Sequence, residues 1–238
     1  TVIDGSNTSG FQRTTLIGHD GFIETSEGKV RIETIALEED AARIVSRDKD
    51  FAKYKLDRLG IPLIEVTTKP DLKTSNQIKE AALKLGEILR ACDVRRGIGT
   101  IRQDLNISVK GSERVEIKGF QDPKIMIKTV DLEIERQMKL VNENESIKEV
   151  RKSNPDGSTS FLRPLPGRAR MYPETDLELL KISRDLINEV KKNLPKLKSE
   201  HKSYLDEFGL NDELVKLVLS GGKVEEFKSL LEVLENPQ

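Results

Sequence analysis

Between residues 99 and 119, GTIRQDLNISVKGSERVEIKG, apolar and polar positions alternate with a period of two along two arms. Such alternation predicts a β-hairpin. Leu105, Ile107 and Val109 share a face with Val115 and Ile117 if Lys110 pairs with Arg114 across a Gly111-Ser112-Glu113 loop. That register sets Ser108 opposite Glu116 and Asn106 opposite Lys118. The other face then carries Arg102, Asp104, Asn106, Ser108, Glu116 and Lys118, a mixture of donors, acceptors and both charges within cross-strand reach. An ordinary solvated face with cross-strand ion pairs has the same composition, so this stretch alone leaves a catalytic and a structural reading open.

A second hairpin is predicted over residues 21–37, with strands at 22–25 and 30–35 and Glu27-Gly28 as its two-residue turn. It runs into Leu37-Glu38-Glu39-Asp40, where three consecutive carboxylates suit either a solvated helix start or a cation site. Residues 60–68, GIPLIEVTT, are apolar on both faces of the predicted strand except at Glu65. A carboxylate in that setting needs neutralising. A structural salt bridge would serve, and so would a hard cation such as Mg²⁺ shared with Glu38 or Glu39.

Thr74 and Gln77 have capping-box spacing ahead of a helix whose stripe is Ile78, Ala81, Ala82, Leu85, Ile88, Leu89 and Cys92, which assigns Cys92 to the core. Ile127, Val130, Ile134, Met138 and Val141 mark a second helix, expected to pack on the apolar side of the central hairpin. Residues 154–158 read as a loop. Residues 163–176 carry prolines that argue against regular structure while holding Arg163, Arg168 and Arg170 close together, an arrangement suited to phosphate or carboxylate, though plain surface arginines look the same. Residues 1–14 form a polar loop whose Ser9, Gln12 and Arg13 suit a polar ligand. From Ser183 onward, helices are predicted near 184–193, 196–207, 212–220 and 223–235. The class is α+β: a largely antiparallel sheet domain flanked by helices over 1–182, then a small helical domain over 183–238.

Composition narrows the chemistry. The chain has 238 residues, 36% hydrophobic, and no apolar run approaches the roughly 18 residues of a membrane span. It reads as a soluble protein. Charged residues make up 34% but sum to a net charge of -1, so a nucleic acid would have to be met by a local patch. One Cys and two His exclude an intramolecular disulfide and a Cys/His zinc site, which fits a reducing cytoplasm and leaves carboxylates to hold any metal. The chain opens Thr-Val-Ile-Asp, without initiator Met or leader, and reads as a fragment of a longer polypeptide.

In this order, SGFQRT, LEEDAAR, LGIPLIEVTTKPD, RQDLNISVKGSERVEIKG, LEIERQ and RPLPGRARMYPETD resemble the glutamyl-tRNA(Gln) amidotransferase B/E family, the last of them its archaeal E-type members in particular. The resemblance covers about residues 1–235. It implies a cradle-shaped, kinase-like domain followed by a helical domain. With ATP and Mg²⁺, such a domain phosphorylates the side-chain carboxylate of glutamate esterified to tRNA(Gln). Ammonia from an asparaginase-like amidotransferase partner of the D type, within a heterotetrameric complex, then displaces phosphate. Carried onto this chain, the acidic Mg²⁺ ligands fall on the Glu38-Glu39 pair and on Glu65, the two places where the residues themselves suggest a cation. The family's metal site also draws a Glu and a His from an N-terminal strand that this sequence does not contain, and neither His19 nor His201 lies in a matching motif. The 150–158 loop is too short for the insertion usual in the archaeal E type, and a tail domain that grips the tRNA elbow has no counterpart.

Lys118, Arg102, Arg163 and Arg170 are the phosphate-side candidates, with Ser9, Gln12, Arg13 and Arg168 as further contacts to ATP or substrate. Asp104, Asn106 and Glu116 are candidates to orient the glutamyl group or guide ammonia. Two rival classes remain: a non-catalytic tRNA-binding or scaffold module, and another carboxylate-metal ligase or hydrolase.

Overall fold

The structure is a computed structural model that describes residues 13–95, 97, 99–120, 122–165, 178–220 and 223–233. Its strands are β1 (Thr14–Thr25), β2 (Gly28–Glu39), β3 (Arg43–Arg47), β4 (Ala52–Lys55), β5 (Pro62–Thr68), β6 (Gln103–Ile107), β7 (Val115–Phe120), β8 (Glu149–Ser153) and β9 (Thr159–Pro164). Among the described residues the helices are α1 (Ser75–Ala91), α2 (Pro123–Asn142), α3 (Arg184–Lys192), α4 (Lys198–Glu207), α5 (Asp212–Ser220) and α6 (Val224–Leu231). Three sheets form, in the orders β1-β2-β5, β3-β4 and β6-β7-β8-β9. All pairings are antiparallel except β7 with β8, which α2 joins, since parallel strands need a crossover connection. The α+β class and the largely antiparallel sheet are thus as expected, and none of these sheets closes into a barrel. The chain divides into two compact units, Thr1–Leu83 with Arg102–Glu178, and Lys84–Ile101 with Leu179–Gln238. Among the described residues no helix is long and apolar enough to cross a membrane.

The first sheet begins earlier than alternation suggested. β1 starts at Thr14, and its part ahead of Phe22, with Gly18, Gly21 and Asp20 at φ 58°, shows no period of its own and takes its order from pairing with β2. Thr25 pairs with Gly28, so the turn is Ser26-Glu27, one residue ahead of the expected Glu27-Gly28. The start of α1 fixes it there. Ser26 donates from its backbone N–H and hydroxyl to Glu80 (2.8 and 2.5 Å), and the Thr74 hydroxyl donates to Glu27 at 2.7 Å. Thr74 caps α1 as expected by accepting from the Gln77 N–H at 3.1 Å, but Gln77 Oε1 accepts from the N–H of Lys73 at 2.9 Å. Glu38 and Glu39 are strand residues of β2, so the helix-start reading of that acidic run does not hold.

In the third sheet the hairpin register is shorter than expected. Ile107 pairs with Val115 and Asn106 with Glu116, leaving residues 108–114 as a seven-residue loop. The difference is two residues, an even number, so Asp104, Leu105, Asn106, Ile107 and Val115–Lys118 keep their predicted faces. Its cause lies in α2. The Gln137 amide donates to the Ile107 carbonyl (3.2 Å) and accepts from the Val109 N–H (3.0 Å), so a side chain satisfies the backbone where β6 ends. Gly111, at φ +88°, lies so near this helix that a Cβ would stand 3.3 Å from Val141.

As expected, α2 covers the apolar side of the hairpin. Ile107, Val115, Ile117 and Phe120 pack with Met126 and Val130, and Ile78, Ala82, Leu105 and Ile134 border them. The buried stripe is nevertheless rotated from the predicted one: Met126, Thr129, Val130, Glu133 and Gln137 are buried, while Met138 is 55% exposed. Apolar periodicity could not reveal this, because three positions of the buried stripe, Thr129, Glu133 and Gln137, are polar. The Glu133 side chain, wholly inaccessible to solvent, accepts from Arg136 (2.8 and 3.0 Å), Gln137 (2.9 Å) and the Thr159 hydroxyl (3.2 Å). Glu149 on β8 binds both Arg136 (3.1 Å) and Arg151 (2.7 Å), and Arg151 reaches the Thr159 hydroxyl and carbonyl. Hydrogen bonds that Arg136 donates to Glu133 hold its guanidinium more firmly protonated than usual, against the opposing effect of burial.

Two further expectations change. Cys92 lies one residue past the end of α1 and is exposed, its thiol directed at the Ile88 carbonyl, so it is not a core residue. Residues 163 and 164 belong to β9, so that proline-rich stretch begins as a strand. The helices of the tail fall close to their predicted spans, around a core of Leu205, Leu210 and Val215 in which Tyr204 meets Phe208 edge-on at 5.0 Å.

Replacing Glu133 by Ala strands Arg136 and Arg151 beside a void, and removing one partner of a buried ion pair costs about 3–5 kcal/mol. Glu133→Ala is therefore expected to lower the denaturant midpoint sharply. A midpoint shift equivalent to less than about 1 kcal/mol would mean that the network contributes little.

Candidate active site

Opposite the α2 side, the third sheet presents the polar face expected of the hairpin. Cross-strand pairing aligns Asn106, Glu116, Val150 and Arg163 in one row, and Lys118, Lys152 and Ser160 in the next. Paired residues share a face. Lys118 lies between two carboxylates, its ammonium 2.5 Å from Asp104 and 2.7 Å from Glu116. Burial disfavours the charged form, but the hydrogen bonds to Asp104 and Glu116 outweigh it and hold the Lys118 pKa above its ordinary value. A raised lysine value means that the tie is fully present through the neutral range and is lost only as the pH climbs through the folded-state pKa. The trio carries one positive and two negative charges. Such a net-negative group suits a cation or an amine better than a phosphate. Arg102 stands exposed just ahead of β6, outside the strand.

The second constellation is on the first sheet. Ala36 pairs with Glu65 and Glu38 with Leu63, and alternation along β2 gives Ala36 and Glu38 a common face. Glu38 and Glu65 therefore share a face as diagonal neighbours, with backbones about 7–8 Å apart. Glu39, opposite Pro62, belongs to the other face. Glu38 is buried and accepts from the Thr14 hydroxyl at 3.4 Å. Glu65, read from the sequence as a carboxylate enclosed among apolar neighbours, is in fact exposed on the edge strand β5. Arg13 adjoins the same site, its carbonyl accepting from the Glu39 N–H at 2.9 Å. Among the described residues no cluster of three His, Cys, Asp or Glu side chains is disposed to hold a metal. Two carboxylates on one sheet face still fit the needs of Mg²⁺, which takes one or two of them and fills its remaining positions with water and phosphate oxygens. Ser9, Gln12, Arg168 and Arg170 lie outside the described residues.

The structure also brings up residues that sequence reasoning missed. Lys152 pairs with Lys118 across β7 and β8. Its only signal in the sequence was alternation within the short run 149–153, too brief to stand out. Glu133, Arg136 and Gln137 all fall within LEIERQ, and here they serve the packing of α2.

Comparison with known proteins adds family to geometry. The family model for the GatB/GatE catalytic domain matches residues 1–188, which contain both constellations. The chain belongs to this family. Among curated members, the E subunit of glutamyl-tRNA(Gln) amidotransferase from Methanocaldococcus jannaschii is 33% identical, with 99% of this chain and 59% of its own length aligned. Its counterpart in Methanothermobacter thermautotrophicus is 31% identical over 97% of this chain and 58% of its own. The corresponding protein of Methanobrevibacter smithii reaches 50% over 146 residues, 61% of this chain and 24% of its own length. The chain spans less than two thirds of the curated relatives it matches. The first alignment runs over 373 positions against a chain of 238 residues, so this family member carries intervening sequence with no counterpart here.

Removing Lys118 leaves Asp104 and Glu116 facing one another without their shared cation. Lys118→Ala is expected to destabilise the fold by about 1 kcal/mol at neutral pH, read from the denaturant midpoint. An unchanged midpoint would show that solvent already screens the trio.

Proposed function

We propose that this chain is the carboxylate-activating part of a tRNA-dependent amidotransferase, converting glutamyl-tRNA(Gln) to glutaminyl-tRNA(Gln) at the expense of ATP. The observation that carries this reading is the match to the GatB/GatE catalytic domain over residues 1–188, a span that includes both constellations.

The chemistry suits the residues. An oxygen of the glutamyl carboxylate attacks the γ-phosphorus of ATP, the bond to ADP breaks, and an acyl phosphate results. Ammonia then attacks the acyl carbon, the C–O bond to phosphate breaks with its electron pair leaving on phosphate, and nitrogen sheds its extra proton. Positioning and charge stabilisation supply most of the catalysis in such phosphoryl transfers. Glu38 and Glu65 would hold Mg²⁺, and a bound Mg²⁺ would supply charge neutralisation for the phosphates. Asp104 and Glu116 are the acceptors for the proton released from nitrogen, with Lys118 orienting them and Asn106 beside Glu116 in reach of the glutamyl amide or carboxyl. Arg13 and Arg163 serve anionic groups of the substrates. An amidase partner, asparaginase-like in the resembling family, would supply ammonia. Among the described residues this chain offers no defensible nucleophile of its own for that step: its single Cys92 is directed at a helix carbonyl, and His19 is engaged with Asp20 at 2.6 Å.

The test uses the full-length protein. With ammonium chloride, ATP, Mg²⁺ and glutamyl-tRNA(Gln) it is expected to form glutaminyl-tRNA, whereas asparagine or glutamine as sole nitrogen source yields none until the partner is added. Glu65→Gln should abolish amidation with the fold intact. ATP turnover indifferent to glutamyl-tRNA would instead favour a different ATP-dependent ligase. RNA binding without any turnover would favour the scaffold reading, and normal amidation by Glu65→Gln would remove that residue from the metal site.

A further inference from the structure

We propose that Lys152, together with Arg163, is the phosphate-contacting pair of the third sheet, and that Lys118 is not a phosphate ligand. This deepens the ATP-using reading above and rests on it.

The two lysines are register partners on adjacent strands, about 4.8 Å apart across the sheet, and face the same way. Their circumstances differ. The Lys118 ammonium is held by two carboxylates at 2.5 and 2.7 Å, and its side chain is only 29% exposed. An incoming phosphate at Lys118 would have to displace Asp104 or Glu116, or approach two negative charges within hydrogen-bond distance of the same nitrogen. Lys152 is exposed, and none of the hydrogen bonds or ion pairs among the described residues involves its side chain. Its stem has a defined course: a Cβ on Gly119, which sits at φ +91°, would lie 3.8 Å from Lys152 Cγ.

Arg163 completes the pair. It aligns with Val150 on the neighbouring strand, two residues from Lys152 on β8, and is likewise exposed with no ion pair among the described residues. One point-like ammonium and one forked guanidinium, a diagonal apart on one face and neither in an ion pair among the described residues, match the oxygens of a phosphate group. The neighbouring trio is net negative, so the face is divided: a pole for amine or proton next to a pole for phosphate. That is the juxtaposition required when an acyl phosphate is attacked by ammonia. The phosphate belongs either to the nucleotide or to the RNA backbone, and the two sources separate experimentally.

In the full-length protein, Lys152→Gln and Lys152→Arg are compared with wild type for equilibrium binding of ATP and of an acceptor-stem RNA, with melting temperature as the control. Lys152→Gln should melt as wild type does, since it removes no contact among the described residues. It is expected to weaken ATP binding about tenfold, with Lys152→Arg restoring most of the loss. A tenfold loss for the RNA alone, equally restored by Arg, would keep the phosphate contact and assign it to the backbone. Unchanged binding of both ligands by Lys152→Gln, in a protein whose wild type binds ATP, would overturn the inference while leaving the proposed function standing. A wild type that neither binds ATP nor turns it over with glutamyl-tRNA would remove that function, and this inference with it.

Discussion

The Glu133 carboxylate, buried between α2 and the third sheet, sets the arrangement on which the polar face depends. A solvent-free carboxylate must be matched in charge and in hydrogen bonds, and here two arginines, a glutamine and a threonine from α2, β8 and β9 meet that demand. Apolar packing alone would allow α2 to slide or rotate over the sheet with modest loss. The charged contacts allow one position. They hold β8 beside β7 in the parallel register that makes Lys152 the neighbour of Lys118, and they orient Gln137 toward the end of β6. Buried ion pairs add little net stability compared with apolar replacements, so the clearest effect of this one is on specificity of arrangement.

Gln137 carries the same constraint into the hairpin. Its amide offers one donor and one acceptor in the geometry of a peptide group, and it completes β6 as a short strand would. The Ile107 carbonyl and the Val109 N–H, where the longer hairpin loop begins, are thereby satisfied. The consequence reaches the candidate site: Asn106, not Ser108, stands opposite Glu116, which brings Asp104 within reach of Lys118. A side chain on the apolar side of the sheet thus decides which polar groups meet on the other.

On both sheets the candidate chemistry depends on alternation and register more than on burial. Glu38 and Glu65 come together because pairing between β2 and β5 sets Ala36 against Glu65, and the same register turns Glu39 away. The Lys118 trio and the neighbouring Lys152 and Arg163 likewise owe their division of charge to pairing across four strands. A sheet face is well suited to this, since neighbouring strands set side chains at fixed spacing on a rigid support.

The sequence by itself determined the period-two arms around 99–119, the two long helices, the helical tail and the membership of Asp104, Asn106, Glu116 and Lys118 on one face. These follow from local alternation and from the 3.6-residue stripe, and a register error of two residues leaves faces unaltered. It also marked Glu38, Glu39 and Glu65 as carboxylates of interest, but took Glu65 as enclosed, because apolar neighbours in sequence do not reveal that β5 is an edge strand. The register of the hairpin, the rotation of α2, the start of β1, the exposure of Cys92 and the pairing of Lys152 with Lys118 were settled only by the tertiary structure. Each depends on a bond between residues far apart in the chain: Gln137 with Val109, Glu133 with Thr159, Ser26 with Glu80. Local periodicity carries no term for such bonds, and where polar groups take core positions it points the wrong way.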